Sequence, residues 1–161
     1  IPPYTKDGCW TSTGVPLENM ISRIIKIGKE GFRAVLWHQG ESDADQIPAF
    51  HTLPGYLYWQ YMDRLILETR KAIGYSPHWF TAQATYHSPT RQETDDIRAA
   101  QKALWESKLT LEGPDTDQLK GNLRDLGGEG VHFSKEGLKK HALLWFEKVC
   151  PWLEEQLGDG K

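Results

Sequence analysis

Cysteine is scarce in this chain: Cys9 and Cys150 are the two in 161 residues, and they lie near opposite ends. Two cysteines make no disulfide framework and do not set a redox compartment. They either pair or stay as buried thiols. No His/Cys string has zinc-ligand spacing, and the six histidines offer no pair at such spacing apart from the remote His78 and His87. No glycine-rich strand–turn–helix fingerprint is present, so nothing cradles a nucleotide and no cofactor is called for. No apolar run approaches the length of a membrane span. The net charge is −3 without a polybasic stretch, which argues against nucleic acid and membrane as partners. No signal peptide is evident, and Ile1-Pro2-Pro3 reads as an internal or processed start.

What is there is the balance of a folded globular protein, 39% apolar and 25% charged. The length suits one domain over residues 1–161. Seven tryptophans are many for this size. Most should be core or groove wall, although aromatics also line sugar sites. Apolar residues at helical spacing predict helices over 16–30, 55–73, 93–107 and 135–156. Pro16 and Ser134 suit helix starts, and Gly31 and Gly74 suit stops. Short apolar runs predict strands at Arg33 to Trp37, Trp79 to Tyr86 and Leu109 to Leu111. Alternation of helix and strand implies an α/β fold: a parallel sheet with right-handed crossovers and helices on both faces, a three-layer α/β/α sandwich.

In such sheets, functional groups collect at the carboxyl ends of the strands. Three polar clusters fall there: His38-Gln39-Gly40-Glu41-Ser42-Asp43, Gln83 to His87, and Asp115 to Asp117, with His132 beyond. A histidine beside acids, on an edge carrying a serine, points to acyl transfer. The histidine takes the serine proton, an acid orients the histidine, and amides hold the oxyanion. Ser42 within Gly40-Glu41-Ser42-Asp43-Ala44 is one candidate nucleophile, in the right chain order with Asp115 or Asp117 and His132. Against it, Ala44 to Pro54 has two prolines and no helical period, whereas a nucleophile elbow needs a helix at once.

The string Trp37-His38-Gln39-Gly40-Glu41-Ser42-Asp43 resembles the third sequence block of carbohydrate esterase family 6 and the sialate O-acetylesterase-like group, within the SGNH hydrolase superfamily. Three later stretches agree: Ile97-Arg98-Ala99-Ala100-Gln101, Gly113-Pro114-Asp115-Thr116-Asp117 and Gly130-Val131-His132-Phe133-Ser134. The resemblance spans about residues 16–150 and implies an SGNH, flavodoxin-like fold. It implies that His132 is the general base and that Gln39 stands at the oxyanion position, with His38 and Gly40 structural or facing substrate. Glu41 is implied as the acid supporting the histidine, or as a structural acceptor of backbone N–H groups. The superfamily more often places that acid three residues before the histidine, which is Glu129 here. Arg98 is expected in a structural ion pair, and Tyr86 and His87 along the groove.

The early block that carries the family's serine has no counterpart in this sequence. The expectation is therefore a sheet lacking its first strands, with the nucleophile on a companion N-terminal segment or chain. The implied activity is removal of O-acetyl groups from a carbohydrate, acetylated xylan first and acetylated sialic acid second, by an enzyme working outside the cytoplasm. Ser42 as a self-contained nucleophile and a non-catalytic carbohydrate-binding fragment are the alternatives.

Overall fold

A three-stranded parallel sheet orders the molecule, with β1 (Ala34–Trp37), β2 (His78–Gln83) and β3 (Leu111–Asp115) side by side in sequence order. The computed structural model describes residues 10, 14–29, 31–44, 52–91 and 94–158. Around the sheet run α1 (Val15–Ile27), α2 (Gly55–Ile73), α3 (Asp95–Glu106) and α4 (Lys135–Gly158). Cys9 lies outside the described residues, so its pairing does too; Cys150 sits on α4 as a thiol.

Side chains alternate across a strand with a period of two, and this assigns the layers. Val35, Trp37 and Trp79 point to one face, where α1, α2 and α3 bury Leu17, Tyr58, Met62, Leu65, Ile97 and Leu104 against them. Ala34, Phe80, Ala82 and Leu111 point to the other, against Trp145, Val149 and Trp152 of α4. The chain is thus an α/β/α sandwich with helices on both faces, as its alternating pattern requires. Each fully buried large side chain contributes about 1.5–3 kcal/mol, so the α1–α3 face carries most of the packing energy.

Three of the differences from the expected boundaries have a clear physical cause. α1 stops at Gly28 rather than at Gly31, because Gly28 takes φ +77°, a turn-closing conformation that favours glycine. β2 ends at Gln83, since the backbone of residues 85 and 86 donates to the Asp117 carboxylate and not to a strand. β3 runs through Leu111–Asp115, a stretch whose glycine and proline suggest a loop. Pro114 is tolerated because β3 has no strand on its far side among the described residues. Gly113 is required because a Cβ there would lie 2.6 Å from the carbonyl carbon of Thr81 on β2. Ser134 caps α4 as expected, accepting from the Gly137 N–H at 3.1 Å. No helix among the described residues is long and apolar enough to cross a membrane.

β1 has no partner on its outer side among the described residues. Leu36, in the middle of this strand, is 47% exposed. It shares a 310 Å³ groove with Ala142, Trp145, Phe146, Val149 and Leu153 of α4.

Replacing Gly113 by alanine should destabilise the fold by about 1–3 kcal/mol, because strand backbone cannot move aside as a side chain can. Urea denaturation reads this, and a midpoint equal to wild type would refute the close approach.

Candidate active site

Each strand hands its last residues to one rim, and buried hydrogen bonds fix them there. The Asp117 carboxylate, just past β3, is 3% exposed. It accepts from the N–H groups of Thr85 and Tyr86 at 2.7 and 2.8 Å, the Thr85 hydroxyl at 2.8 Å and Arg98 at 2.7 Å. Arg98 also grips both oxygens of Asp115, at 3.0 and 2.9 Å. It forms the structural ion pair expected of it. Burial alone would raise the Asp115 carboxyl, but Arg98 outweighs burial and holds it below the usual carboxylate range.

β1 delivers its cluster through a second set of contacts. The Gln39 carbonyl accepts from the Tyr58 hydroxyl at 2.8 Å and from the Gln101 amide at 3.2 Å. Gly40 packs against the carbonyl of Ala84, and a Cβ there would also lie 2.6 Å from Gln101 Nε2. Residues 41–44 then turn, with the N–H groups of Asp43 and Ala44 both donating to the Gly40 carbonyl. The Gln39 side-chain amide donates to Asp43 at 2.6 Å.

The loop after β3 is built on Arg124, 2% exposed. Its guanidinium lies 4.7 Å from the centre of the Tyr86 ring and 4.3 Å from that of Phe133. Each of its three nitrogens donates to a backbone carbonyl, of Leu119, Val131 and Thr116. The Asp125 N–H donates to the His132 carbonyl at 2.8 Å. Arg124 thereby fixes the backbone on both sides of His132.

These supports enclose a cavity of about 540 Å³ lined by Glu41, Ser42, His132, Phe133 and three further imidazoles, His38, His87 and His141. Of the residues singled out by sequence, His38, Glu41, Ser42 and His132 meet here. Gln39, Gly40 and Glu129 do not line it. Gln39 is turned to Asp43, and Glu129 is exposed on the loop. Tyr86 is 1% exposed beneath Arg124, so it does not line the groove, whereas His87 does. His141 was missed. Its helical spacing to Trp145 marks it only as part of α4.

The protonation chemistry follows from the neighbours. His38 Nε2 lies 2.9 Å from the Thr116 hydroxyl oxygen. That hydroxyl also lies 2.8 Å from the Gln83 carbonyl, which accepts the Thr116 N–H at 2.9 Å as well. The Thr116 hydroxyl thus joins His38 to the end of β2. Glu41 Oε1 stands 3.7 Å from His38 Nδ1, and its other oxygen accepts from the Gly40 N–H at 3.1 Å. Burial, then Arg124, keeps the His38 imidazole neutral by lowering its pKa. Burial raises that of Glu41. Burial, then His38 and Arg124, pulls His141 down to about 4. Among the described residues no group of three acidic, His or Cys side chains could hold a metal ion.

Two predictions follow from this framework. Asp117→Ala leaves two buried N–H groups and part of Arg98 without their acceptor. It should cost about 3–5 kcal/mol in urea unfolding, and a loss under 1 kcal/mol would refute the anchoring role. The second concerns pH. The folded pKa of His141 lies below its ordinary value of 6.5, so its contribution is complete above pH 6.5. It is lost as pH falls toward about 4, because only the unfolded chain takes up the proton there. His38 acts with the same sign and Glu41 with the opposite one. Unfolding midpoints from pH 7.5 to 4.5 should fall less in His141→Phe than in wild type; parallel curves would refute the shift.

No curated protein and no solved structure matches this chain. The family model described as carbohydrate esterase, sialic acid-specific acetylesterase, matches residues 5–148. With the α/β/α sandwich and a histidine- and carboxylate-lined cavity at the strand ends, that match places the chain in this carbohydrate esterase family.

Proposed function

We propose that the chain forms most of a serine-type O-acetylesterase acting on acetylated neutral polysaccharide of the xylan type, with the nucleophilic serine supplied by a segment outside these residues. The observation that carries this reading is the position of the cavity. It opens at the carboxyl end of β1, the strand whose outer edge is unpaired among the described residues and whose flank exposes Leu36 and Phe146. A parallel strand added to that edge would bury the apolar groove. Its carboxyl-terminal residue would reach the rim that holds His38 and His132. A serine there attacks the acetyl carbonyl while His132 takes its proton. His132 then returns the proton to the sugar oxygen as the acyl-enzyme forms, and water repeats the sequence to release acetate. Glu41 is the carboxylate available in the cavity to orient the imidazoles. Gln39 and Gly40 hold the loop that carries it.

The lining favours a neutral sugar over an acidic one. Its charged group is Glu41, and Arg124 has each nitrogen committed to a carbonyl. The carboxylate of a sialic acid meets no free guanidinium among these residues. Work on a cell-wall polymer also fits a site of action outside the cytoplasm.

A second reading is favoured by one observation: Ser42 is exposed and lines the same cavity as His132. One labelling experiment separates the two. A fluorophosphonate applied to the native sample should mark a serine on a peptide absent from these residues, and His132→Ala should reduce acetyl-ester hydrolysis roughly a thousandfold or more. A label on Ser42, abolished by Ser42→Ala, would replace the proposal with the self-contained enzyme. Absence of label with binding of acetylated sugar intact would leave a binding module.

A further inference from the structure

A second cavity, of about 480 Å³, lies between α2 and α3 as an open groove. It joins Tyr56, Trp59 and Gln60 of α2 to Asp96, Ala99 and Ala103 of α3. The chemistry at the imidazoles uses none of them. Tyr56 is 66% exposed, so its ring is not spent on the core. Trp37, Trp79 and Trp145 are buried, whereas Trp59 packs on the core and still reaches the groove. Polar groups stand beside the two rings. The Trp59 indole N–H, the Gln60 amide and one Asp96 carboxylate oxygen make no hydrogen bond among the described residues. The other Asp96 oxygen accepts from the Gly55 N–H at 2.7 Å, which fixes the carboxylate at the start of α2. The groove comes from the amino-terminal parts of both helices, and each helix begins on the side where its preceding strand ends. It therefore shares the rim end of the molecule with the active-site cavity. That cavity takes its helical wall from α4, so the two stand on opposite sides of the sheet.

We infer that this groove is a second carbohydrate site, which holds a neutral sugar chain away from the ester that is cleaved. A pyranose ring carries C–H groups on its faces and hydroxyls around its edge. The faces suit the Tyr56 and Trp59 rings. The hydroxyls both donate and accept, and so answer an indole N–H, an amide and a carboxylate together. A purely apolar partner, such as the face of a helix, would cover those polar groups and leave them unpaired. An anionic ligand would meet Asp96, with Asp95 beside it, and no lysine or arginine among the described lining residues. The choice of a xylan chain as occupant rests on the reading of this protein as an esterase of such polymers. The groove extends that reading from one acetylated sugar to the chain that carries it. A polymer engages both sites, whereas a single acetylated sugar engages only the cavity at the imidazoles.

Titration of the native protein with unacetylated xylohexaose tests this without any ester. The Trp59 indole N–H resonance, assigned through Trp59→Phe, should shift saturably. Tyr56→Ala, which removes an exposed ring, should weaken binding roughly tenfold. Ala99→Trp, which fills the groove from an exposed position of α3, should abolish it. A second arm measures KM for acetylated xylan and for a mono-O-acetylated methyl xyloside. The ratio of the first to the second should rise several-fold in both variants. No saturable shift at Trp59, or binding indifferent to both substitutions, overturns the inference, and hydrolysis of the xyloside then shows the esterase reading intact. An unchanged KM ratio overturns the anchoring of the polymer. A saturable shift without hydrolysis of any acetyl ester upholds the groove and overturns the esterase reading.

Discussion

The rim of the sheet depends on one buried carboxylate. Asp117 gathers two backbone N–H groups, a hydroxyl and a guanidinium, and so ties the end of β2 to the end of β3 and both to α3. A carboxylate out of water is costly unless its acceptor sites are filled, and here four donors fill them. The cost of undoing any one of them makes the rim rigid. His38 is held on the same framework, through Thr116, whose hydroxyl is bonded to Gln83. Arg124 repeats the device with opposite charge. Its guanidinium is sandwiched between two rings and saturated by carbonyls, so it shapes the loop around His132 and presents no cation to the cavity.

Packing energy is distributed unevenly about this frame. Three helices close one face of the sheet, while α4 alone covers the other and leaves Leu36 and Phe146 in water. An apolar strand whose outer row of peptide groups meets no strand among the described residues, beside an apolar groove, is a template for another strand. That asymmetry is the physical content of the proposal that a further segment completes the site. It also explains why the cavity lies at one end of the sheet and not across its centre.

The imidazoles show how a fold sets chemistry without changing residue type. His38, His132 and His141 share one cavity, yet their neighbours give them different tasks. The Trp145 indole N–H fixes the tautomer of His141, while the Thr116 hydroxyl ties His38 to the end of β2. His132 has no side-chain hydrogen bond among the described residues, which fits the proposed role of general base.

Much of this was legible in the order of residues. Apolar spacing marked four helices and three strands, because periods of 3.6 and 2 follow from backbone geometry alone. Clusters of polar residues after each apolar run marked the rim, because parallel strands end on the same side. The string from Trp37 to Asp43 pointed to the family. Local chemistry also told where Ser134 would cap and Gly74 would stop a helix. The rest needed three dimensions. Gly113 and Pro114 read as a loop until a neighbouring strand required the first and an edge position allowed the second. The resemblance put Gln39 at the oxyanion position, but its amide donates to Asp43 four residues on. His141 was invisible, since its role comes from Trp145, Phe133 and His38, brought together by packing. Sequence by itself determined the elements and which of them carry chemistry, because those are local properties of the chain. Tertiary structure decided which groups meet, because hydrogen-bond partners distant in sequence hold them in place.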